Sequence, residues 1–217
     1  HETPNTVTIV AANDGGIHAS YDRGINWTEL NNNFNVTQYY DADKHPSSMA
    51  IIGGTQDNGT HRSPNNPTFS SAWQRVIGGD GFDCAWNKQD PNIVYGTLYS
   101  SRIYKSIDGG YNFSQINNGL PESNIFHTPL EMNQFHSDTL YTVSGSNQVY
   151  YTYNGGNTWT ATSANLNGYS RVKLAASLSN HNVVWAGATT IYCNVSTDGG
   201  KTYTPISQPA GSPHAWL

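Results

Sequence analysis

The sequence predicts an all-β protein built from repeated hairpins, and three observations lead to that prediction. Short runs of alternating apolar and polar residues, bounded by Gly, Asn, Asp and Pro, follow one another along the 217 residues. One turn motif recurs four times. Charged residues are only 12% of the chain, against a usual quarter, and its polarity comes instead from Asn, Ser, Thr and Gly. This profile is typical of a secreted β protein.

The recurring motif is clearest in the stretch Y-K-S-I-D-G-G-Y-N-F-S-Q at residues 104–115. Asp-Gly-Gly favours a hairpin turn, because Gly accepts a positive φ without steric cost and the Asp side chain can accept backbone hydrogen bonds. The four copies are Ser20, Asp22, Gly24 and Trp27; Ser106, Asp108, Gly110 and Phe113; Thr152, Asn154, Gly156 and Trp159; and Ser196, Asp198, Gly200 and Tyr203.

The spacing of the copies predicts the architecture. The acidic or amide position falls at residues 22, 108, 154 and 198, so the intervals are 86, 46 and 44 residues. The first interval is about twice the others, which indicates a degraded copy near residue 65, and residues 62–67 followed by Ser71-Ala72-Trp73 fit that place. A period of roughly 40 to 45 residues in an all-β chain is that of a β-propeller blade.

We therefore predict a β-propeller of four-stranded blades, with about five blades in this chain. One propeller module is expected over residues 1–217, and its first unit lacks the innermost strand. The fourth unit is expected to begin with a strand over Ile125–Leu130. The blades are expected at about 1–33, 34–79, 80–120, 121–167 and 168–208, with 209–217 as the closing strand of a five-bladed ring or the start of a further blade.

The motif resembles the Asp-box (BNR) repeat, S-x-D-x-G-x-T/N-W/F, of sialidases, sortilin-type receptors, two-propeller xyloglucanases and secreted bacterial propellers. The resemblance covers nearly the whole chain. It implies a structural clasp between the third and fourth strands of each blade, so Asp22, Asp108 and Asp198 are interpreted as structural rather than catalytic. Larger rings are commoner in this group, which favours a fragment of a larger propeller.

Composition excludes several classes of function. With 10 basic and 15 acidic residues the chain is mildly acidic, which argues against nucleic-acid binding. No run approaches the length of a membrane span, so membrane insertion is not expected, and the scattered histidines form no zinc pattern. Cys84 and Cys193 lie more than two repeats apart and are expected to be buried thiols. The chain is expected to be a mature product or a piece of a longer protein.

Candidate ligand-binding residues lie in the turns expected at the end of the blades opposite the motif. They are Asp14, Asp57, Asn58, Asp80, Asp83, Tyr99 and Arg102. Asp57, Asp80 and Asp83 form a candidate acidic cluster among glycines, and carboxylate oxygens suit Ca²⁺. The alternative is that these aspartates cap their own loops.

An enzymatic role has few candidate residues. The chain has five arginines and no R-I-P segment of the sialidase type, and Glu is scarce, which leaves Asp57 and Asp80 as the plausible acid/base pair. A binding role needs less, and 14 Tyr and six Trp supply amphipathic rings. The tryptophans at motif or strand positions are expected in the core: Trp27, Trp86, Trp159 and Trp185.

The favoured function is a secreted or surface-exposed glycan-binding, protein-binding or scaffold domain of a larger protein. The first alternative is part of a glycoside hydrolase that acts on polysaccharide through aspartates. The second is a sortilin-like peptide receptor, although the cysteine-rich module that would follow it is not in this sequence.

Overall fold

A computed structural model describes residues 8–13, 16–30, 37–166, 172–188 and 193–206, and these contain only strands, turns and bends. The chain divides into two compact units, residues 1–38 and 39–217. Within the described residues there is no helix with the length and apolarity of a membrane span. The all-β prediction is confirmed.

The described residues of the first unit form one antiparallel sheet of three strands, here called sheet I. Its strands are β1 (Ile9–Asn13), β2 (Gly16–Ser20) and β3 (Thr28–Glu29), in the order β1-β2-β3. Trp27 was expected in the core, but 45% of its surface is exposed. Its indole N–H donates to Gly24 O at 3.2 Å, so the ring lies against its own turn.

In the part of the second unit that the structure describes, there are four sheets of four antiparallel strands, with the strands of each sheet in sequence order. Sheet II has β4 (Tyr39–Lys44), β5 (Ile51–Thr55), β6 (Gly59–Arg62) and β7 (Gln74–Ile77); sheet III has β8 (Cys84–Trp86), β9 (Val94–Leu98), β10 (Arg102–Ser106) and β11 (Ser114–Gln115). Sheet IV has β12 (Leu130–Met132), β13 (Leu140–Ser144), β14 (Gln148–Thr152) and β15 (Thr160–Asn165); sheet V has β16 (Lys173–Ala176), β17 (Val184–Gly187), β18 (Cys193–Ser196) and β19 (Thr204–Ile206).

The sheets of the second unit pack face to face along their first strands. β4 contacts β8, β8 contacts β12, and β12 contacts β16. Apolar clusters fill the spaces between sheets, around Trp86 between II and III, around Trp159 between III and IV, and around Val184 between IV and V. Because each first strand neighbours the next, the ends of these strands bring residues of successive repeats together.

The fourth repeat departs from the predicted strand over Ile125–Leu130, because β12 begins only at Leu130. The preceding residues are tied instead to the β9–β10 turn of sheet III. Ser100 N donates to Ile125 O at 2.7 Å, and Ser101 N donates to Thr128 Oγ1 at 3.0 Å. Pro129 offers no backbone N–H to a sheet, which helps to delay the strand.

Candidate functional site

The four motif turns are held by one repeated set of hydrogen bonds. The hydroxyl of the motif Ser or Thr donates to Oδ1 of the motif Asp or Asn, two residues on, at 2.6–2.8 Å. The same hydroxyl accepts a hydrogen bond from the N–H of the motif Gly, four residues on, at 2.7–3.2 Å. In the Asp108 copy, hydrogen bonds from Asn112 N and the Ser106 hydroxyl hold the pKa of the carboxyl well below its usual value. Such a carboxylate is fully occupied by its own turn, which suits a structural role.

Each motif turn of the second unit is also joined to the turn between the first two strands of its sheet. Gly109 N donates to Asn92 O at 2.8 Å, Gly155 N to Asp138 O at 2.8 Å, and Gly199 N to Asn182 O at 2.9 Å. The two kinds of turn therefore share one end of each sheet, called the motif end below. The turn between the second and third strands and the link to the next sheet lie at the opposite end, called the link end.

The carbonyl groups of the same glycines accept hydrogen bonds from the preceding sheet. Lys105 Nζ of sheet III donates to Gly155 O at 3.0 Å, and the Tyr141 hydroxyl of sheet IV donates to Gly199 O at 2.9 Å. Arg62 Nε of sheet II donates to Gly109 O at 2.7 Å. A motif turn thus connects neighbouring sheets as well as the strands of one sheet.

Arg62 lies just before the place of the motif serine, which Ser63 takes in the degraded copy. Arg62 pairs with Ile52 as Lys105 pairs with Tyr95, and Ser63 N donates to Ile51 O at 2.9 Å. The Arg62 side chain is buried, donates to Ser63 O at 2.6 Å and to Asn65 Oδ1 at 2.7 Å, and lies 4.0 Å from the centre of the Tyr111 ring. The sequence indicated a degraded copy here but not this role of the arginine.

Carboxylates near the start of the first strands join neighbouring sheets. Asp41 Oδ2 accepts from Cys84 N at 2.9 Å, and Glu131 Oε1 accepts from Ala176 N at 3.1 Å. Burial raises the pKa of Glu131 to about 7, with the charges of Asp83 and Asp41 adding to the shift. Burial likewise raises the pKa of Asp41.

The three carboxylates that were predicted to bind calcium, those of Asp57, Asp80 and Asp83, do not form one group in the structure. Asp83 faces the next sheet, where its Oδ1 bonds His127 Nε2 at 2.6 Å and its Oδ2 accepts from Leu130 N at 2.9 Å. Only Asp57 and Asp80 meet, through a 2.8 Å bond from Asp57 N to Asp80 Oδ1. Throughout the described ranges, no group of three or more His, Cys, Asp or Glu side chains could hold a metal ion.

The other predicted ligand residues have different surroundings. Asn58 caps its own turn, because its N and Nδ2 both donate to Gln56 O. The Arg102 guanidinium lies over the Tyr99 ring, 5.0 Å from its centre. Asp14 lies outside the described residues.

Four rings at the link end form a cluster that sequence reasoning missed, here called the aromatic group: Tyr40, Phe82, Phe126 and His127. Phe82 is fully buried and lies 4.9 Å from Tyr40, 5.1 Å from Phe126 and 5.1 Å from His127, measured between ring centres. Tyr40 and Phe126 are 44% and 52% exposed. Each ring lies at or just before the first strand of its repeat, and that shared position was the signal available in the sequence.

Two further predictions concern residue burial. Trp86 and Trp159 are in the core as expected, whereas Trp185 is 42% exposed. Cys84 is buried and Cys193 only partly so, and both are free thiols. Burial raises the pKa of both thiols.

The stacked four-stranded sheets and their clasped turns define the class of the protein as a BNR-type β-propeller. The family model for sortilin, neurotensin receptor 3 (Sortilin-Vps10), matches residues 101–214, just over half of the chain. The chain belongs to this family. None of the curated proteins compared with the sequence matches it.

Solved structures with a similar fold include two glycoside hydrolases and a YCF48 protein. An ancestral GH74 enzyme has a TM-score of 0.64 at 16% identity, with 79% of this chain and 24% of that chain covered. The GH74 xyloglucanase from Xanthomonas campestris has a TM-score of 0.61 at 15% identity, with coverages of 82% and 31%. YCF48 from Cyanidioschyzon merolae has a TM-score of 0.57 at 13% identity, with coverages of 81% and 57%. The chain therefore spans between a quarter and just over a half of these proteins, and the likeness shows the fold alone.

Proposed function

We propose that the chain is a ligand-binding module of a larger, secreted or surface-exposed propeller protein, and that it holds a glycan or protein ligand at the aromatic group. The observation that carries the proposal is the pair of half-exposed rings, Tyr40 and Phe126, fixed on the fully buried Phe82. Rings held in place by packing lose little conformational entropy on binding, and they offer a large apolar contact area.

Polar groups surround the exposed rings and could orient a ligand. The Tyr40 hydroxyl donates to Gln56 Oε1 at 2.9 Å, and His127 is hydrogen-bonded to Asp83. A few oriented polar groups beside apolar rings are typical of ligand sites. A solved structure of YCF48, which carries a similar fold, is described as bound to D1 peptide, so a peptide ligand is compatible with the fold.

A paired glycan and peptide array screen tests this proposal. Wild-type protein is expected to bind at least one ligand class, and Phe126→Ala is expected to weaken that binding at least tenfold because it removes an exposed anchor ring. Phe135→Ala is the matched control, since Phe135 is 42% exposed but lies in the β12–β13 turn at the motif end. Equal effects of the two substitutions would show that the aromatic group is not the site.

The larger assembly is supported by the exposed face of sheet V. Trp185 pairs with Ala175 as Tyr95 pairs with Ala85 and as Tyr141 pairs with Glu131. Tyr95 and Tyr141 are fully buried against the next sheet, whereas Trp185 is 42% exposed. A further sheet would bury Trp185 in the same way, so we propose that the predicted blades are part of a larger propeller.

The larger assembly is tested by one substitution in two proteins. Trp185→Ser is expected to lower the free energy of unfolding of the full-length parent protein by about 3 to 5 kcal/mol, the usual loss for a buried large aromatic residue. The same substitution in residues 1–217 is expected to cost less than about 1 kcal/mol. Equal losses in both proteins would contradict the proposal.

A glycoside hydrolase is the second candidate, because the structure brings Asp57 and Asp80 together at the link end. Hydrolysis can be measured on the polysaccharides of the same screen. Reducing-end release that is abolished by Asp80→Asn would favour the enzyme over the binding module. Release that survives Asp57→Asn and Asp80→Asn alike would exclude this pair as the acid and base.

A further inference from the structure

Two cavities lie on either side of the link segment, residues 121–124, which connects sheets III and IV. The first has a volume of about 440 Å³ and is lined by Arg102, Gln115 and Asn117 together with the segment. The second has a volume of about 660 Å³ and is lined by Gln148 and Tyr150 together with the same segment. Both volumes lie in the range of roughly 300 to 1,000 Å³ that ligand sites occupy. Because they share the link segment, the two cavities form one groove, here called the link groove.

The link segment is held in place by hydrogen bonds to the end of β13 in sheet IV and to the turn that follows it. The Ser144 hydroxyl donates to Pro121 O at 2.8 Å, and the Ser123 hydroxyl donates to Gly145 O at 3.3 Å. Ser100 and Ser101 at one edge of the link groove have φ values of 59° and 54°, in the left-handed region that non-glycine residues seldom adopt. Consecutive strained residues persist only where their surroundings fix them, and such strain is concentrated at functional sites.

Several polar side chains of the link groove have unused hydrogen-bonding capacity. In the described part of the chain, the side chains of Arg102, Gln115, Glu122 and Asn124 make no hydrogen bond to another protein group. The Arg102 guanidinium is nevertheless positioned, because it stacks on the Tyr99 ring. By contrast, the carboxylates of the motif turns are fully used by their own turns. Free donors and acceptors therefore line this groove, where a ligand can use them.

The chemistry of these groups selects the ligand class. Arg102 and Glu122 balance in charge, and amides such as Gln115 and Asn124 can both donate and accept. A ligand rich in hydroxyl groups is complementary to this mixture of donors and acceptors, because each hydroxyl also donates and accepts. The ring of Tyr150, which lines the second cavity, offers an apolar face of the kind that sugars stack on. We propose that the link groove binds a neutral oligosaccharide, as a second site apart from the aromatic group.

Calorimetric titration with defined oligosaccharides tests the inference. The probes are three neutral hexasaccharides, namely cellohexaose, xylohexaose and mannohexaose, and one anionic probe, hexagalacturonate. At least one neutral probe is expected to bind and the anionic probe is not. Arg102→Ala and Glu122→Gln are each expected to weaken binding about 10- to 100-fold, as the loss of a charge-assisted hydrogen bond does. Circular dichroism and thermal melting should show both variants to be folded.

The outcomes separate this inference from the proposed function. Arg75→Ala is the matched control for charge, because Arg75 is exposed on β7 of sheet II and should leave binding unchanged. Failure of the folded wild-type protein to bind any neutral probe would overturn the link groove as a glycan site, and so would binding that both variants leave intact. A preference for hexagalacturonate would overturn the assignment of a neutral ligand. Ligand capture on the arrays that is lost only in Phe126→Ala would sustain the proposed function while refuting this inference.

Discussion

Replacing Arg62 with Met gives the sharpest test of how neighbouring sheets are joined. Methionine keeps the apolar stem of the side chain and removes its charge and all its donors. The variant loses the bonds to Gly109 O, Ser63 O and Asn65 Oδ1, which the structure places at 2.6–2.7 Å. It also loses the contact of the guanidinium with the Tyr111 ring.

The expected loss follows from what happens to each acceptor. Asn65 is exposed and Gly109 is half-buried, so both can bond water in the variant, whereas Ser63 is fully buried. An orphaned buried carbonyl costs about 1 to 3 kcal/mol, and a partly buried cation–π contact is worth roughly 0.5 to 2 kcal/mol. Part of this loss of stability is offset, because the variant no longer has to bury a charged guanidinium. We therefore expect Arg62→Met to lower the free energy of unfolding by about 3 kcal/mol.

Urea unfolding followed by tryptophan fluorescence measures this quantity. Arg62→Lys retains the charge but cannot serve three acceptors in a fixed plane, so an intermediate loss is expected. Arg75→Ala, an exposed arginine of the same sheet, is the control and should change stability by less than about 0.5 kcal/mol. If Arg62→Met lowered stability no more than Arg75→Ala does, the hydrogen bonds of Arg62 would not stabilise the packing of sheets II and III.

Two further predictions concern the clasped turns and the carboxylates between sheets. Ser106→Ala should cost about 1 to 2 kcal/mol in urea unfolding, because Gly110 N loses its acceptor, whereas Ser114→Ala, at an exposed site of the same hairpin, should be neutral. Burial raises the pKa of Glu131 from 4.5 to about 7, so the folded state binds the proton more tightly than the unfolded chain does, and stability is lost as the pH rises through that window. The loss is about 3 kcal/mol, and the stability of Glu131→Gln should fall much less than that of the wild-type protein between pH 4.5 and 7, although the raised pKa of Asp41 still contributes a decline; an unchanged slope would assign the loss to other groups.

Much of the fold followed from the sequence because the repeats impose local rules. An Asp-Gly-Gly turn between two alternating runs has one favourable hairpin geometry, so strands such as β10 and β18 could be placed from their turns. The strand predicted over Ile125–Leu130 was wrong, because the local pattern of apolar residues does not show which backbone groups a segment will hydrogen-bond. Residues 125–128 read as a strand, yet their hydrogen bonds go to the β9–β10 turn.

The candidate sites were less predictable, for the same physical reason. Asp83 was grouped with Asp57 and Asp80 because all three flank glycines, but its carboxylate is used by His127 and by Leu130 N, 44 and 47 residues away. Such contacts depend on how closely the first strands of neighbouring sheets pack, and the sequence of a single repeat does not reveal that packing. Tyr40 likewise has the pattern of an ordinary strand residue, and its contact with Phe82 of the next repeat is visible only in the structure.

The two ends of the sheets differ in how much of their polar chemistry is already used. At the motif end a cavity of about 490 Å³ lies between sheets IV and V, yet its Asp198 carboxylate accepts from Ser196 and Thr202 and its Tyr153 hydroxyl donates to Gly199 O. A ligand there would have to displace bonds that hold the sheets together. At the link end, Arg102 and its neighbours keep free donors and acceptors, and Phe126 keeps an exposed ring. Binding is most favourable where the protein does not have to break its own hydrogen bonds to contact the ligand. We therefore expect ligands at the link end, whereas the motif end holds the sheets in register.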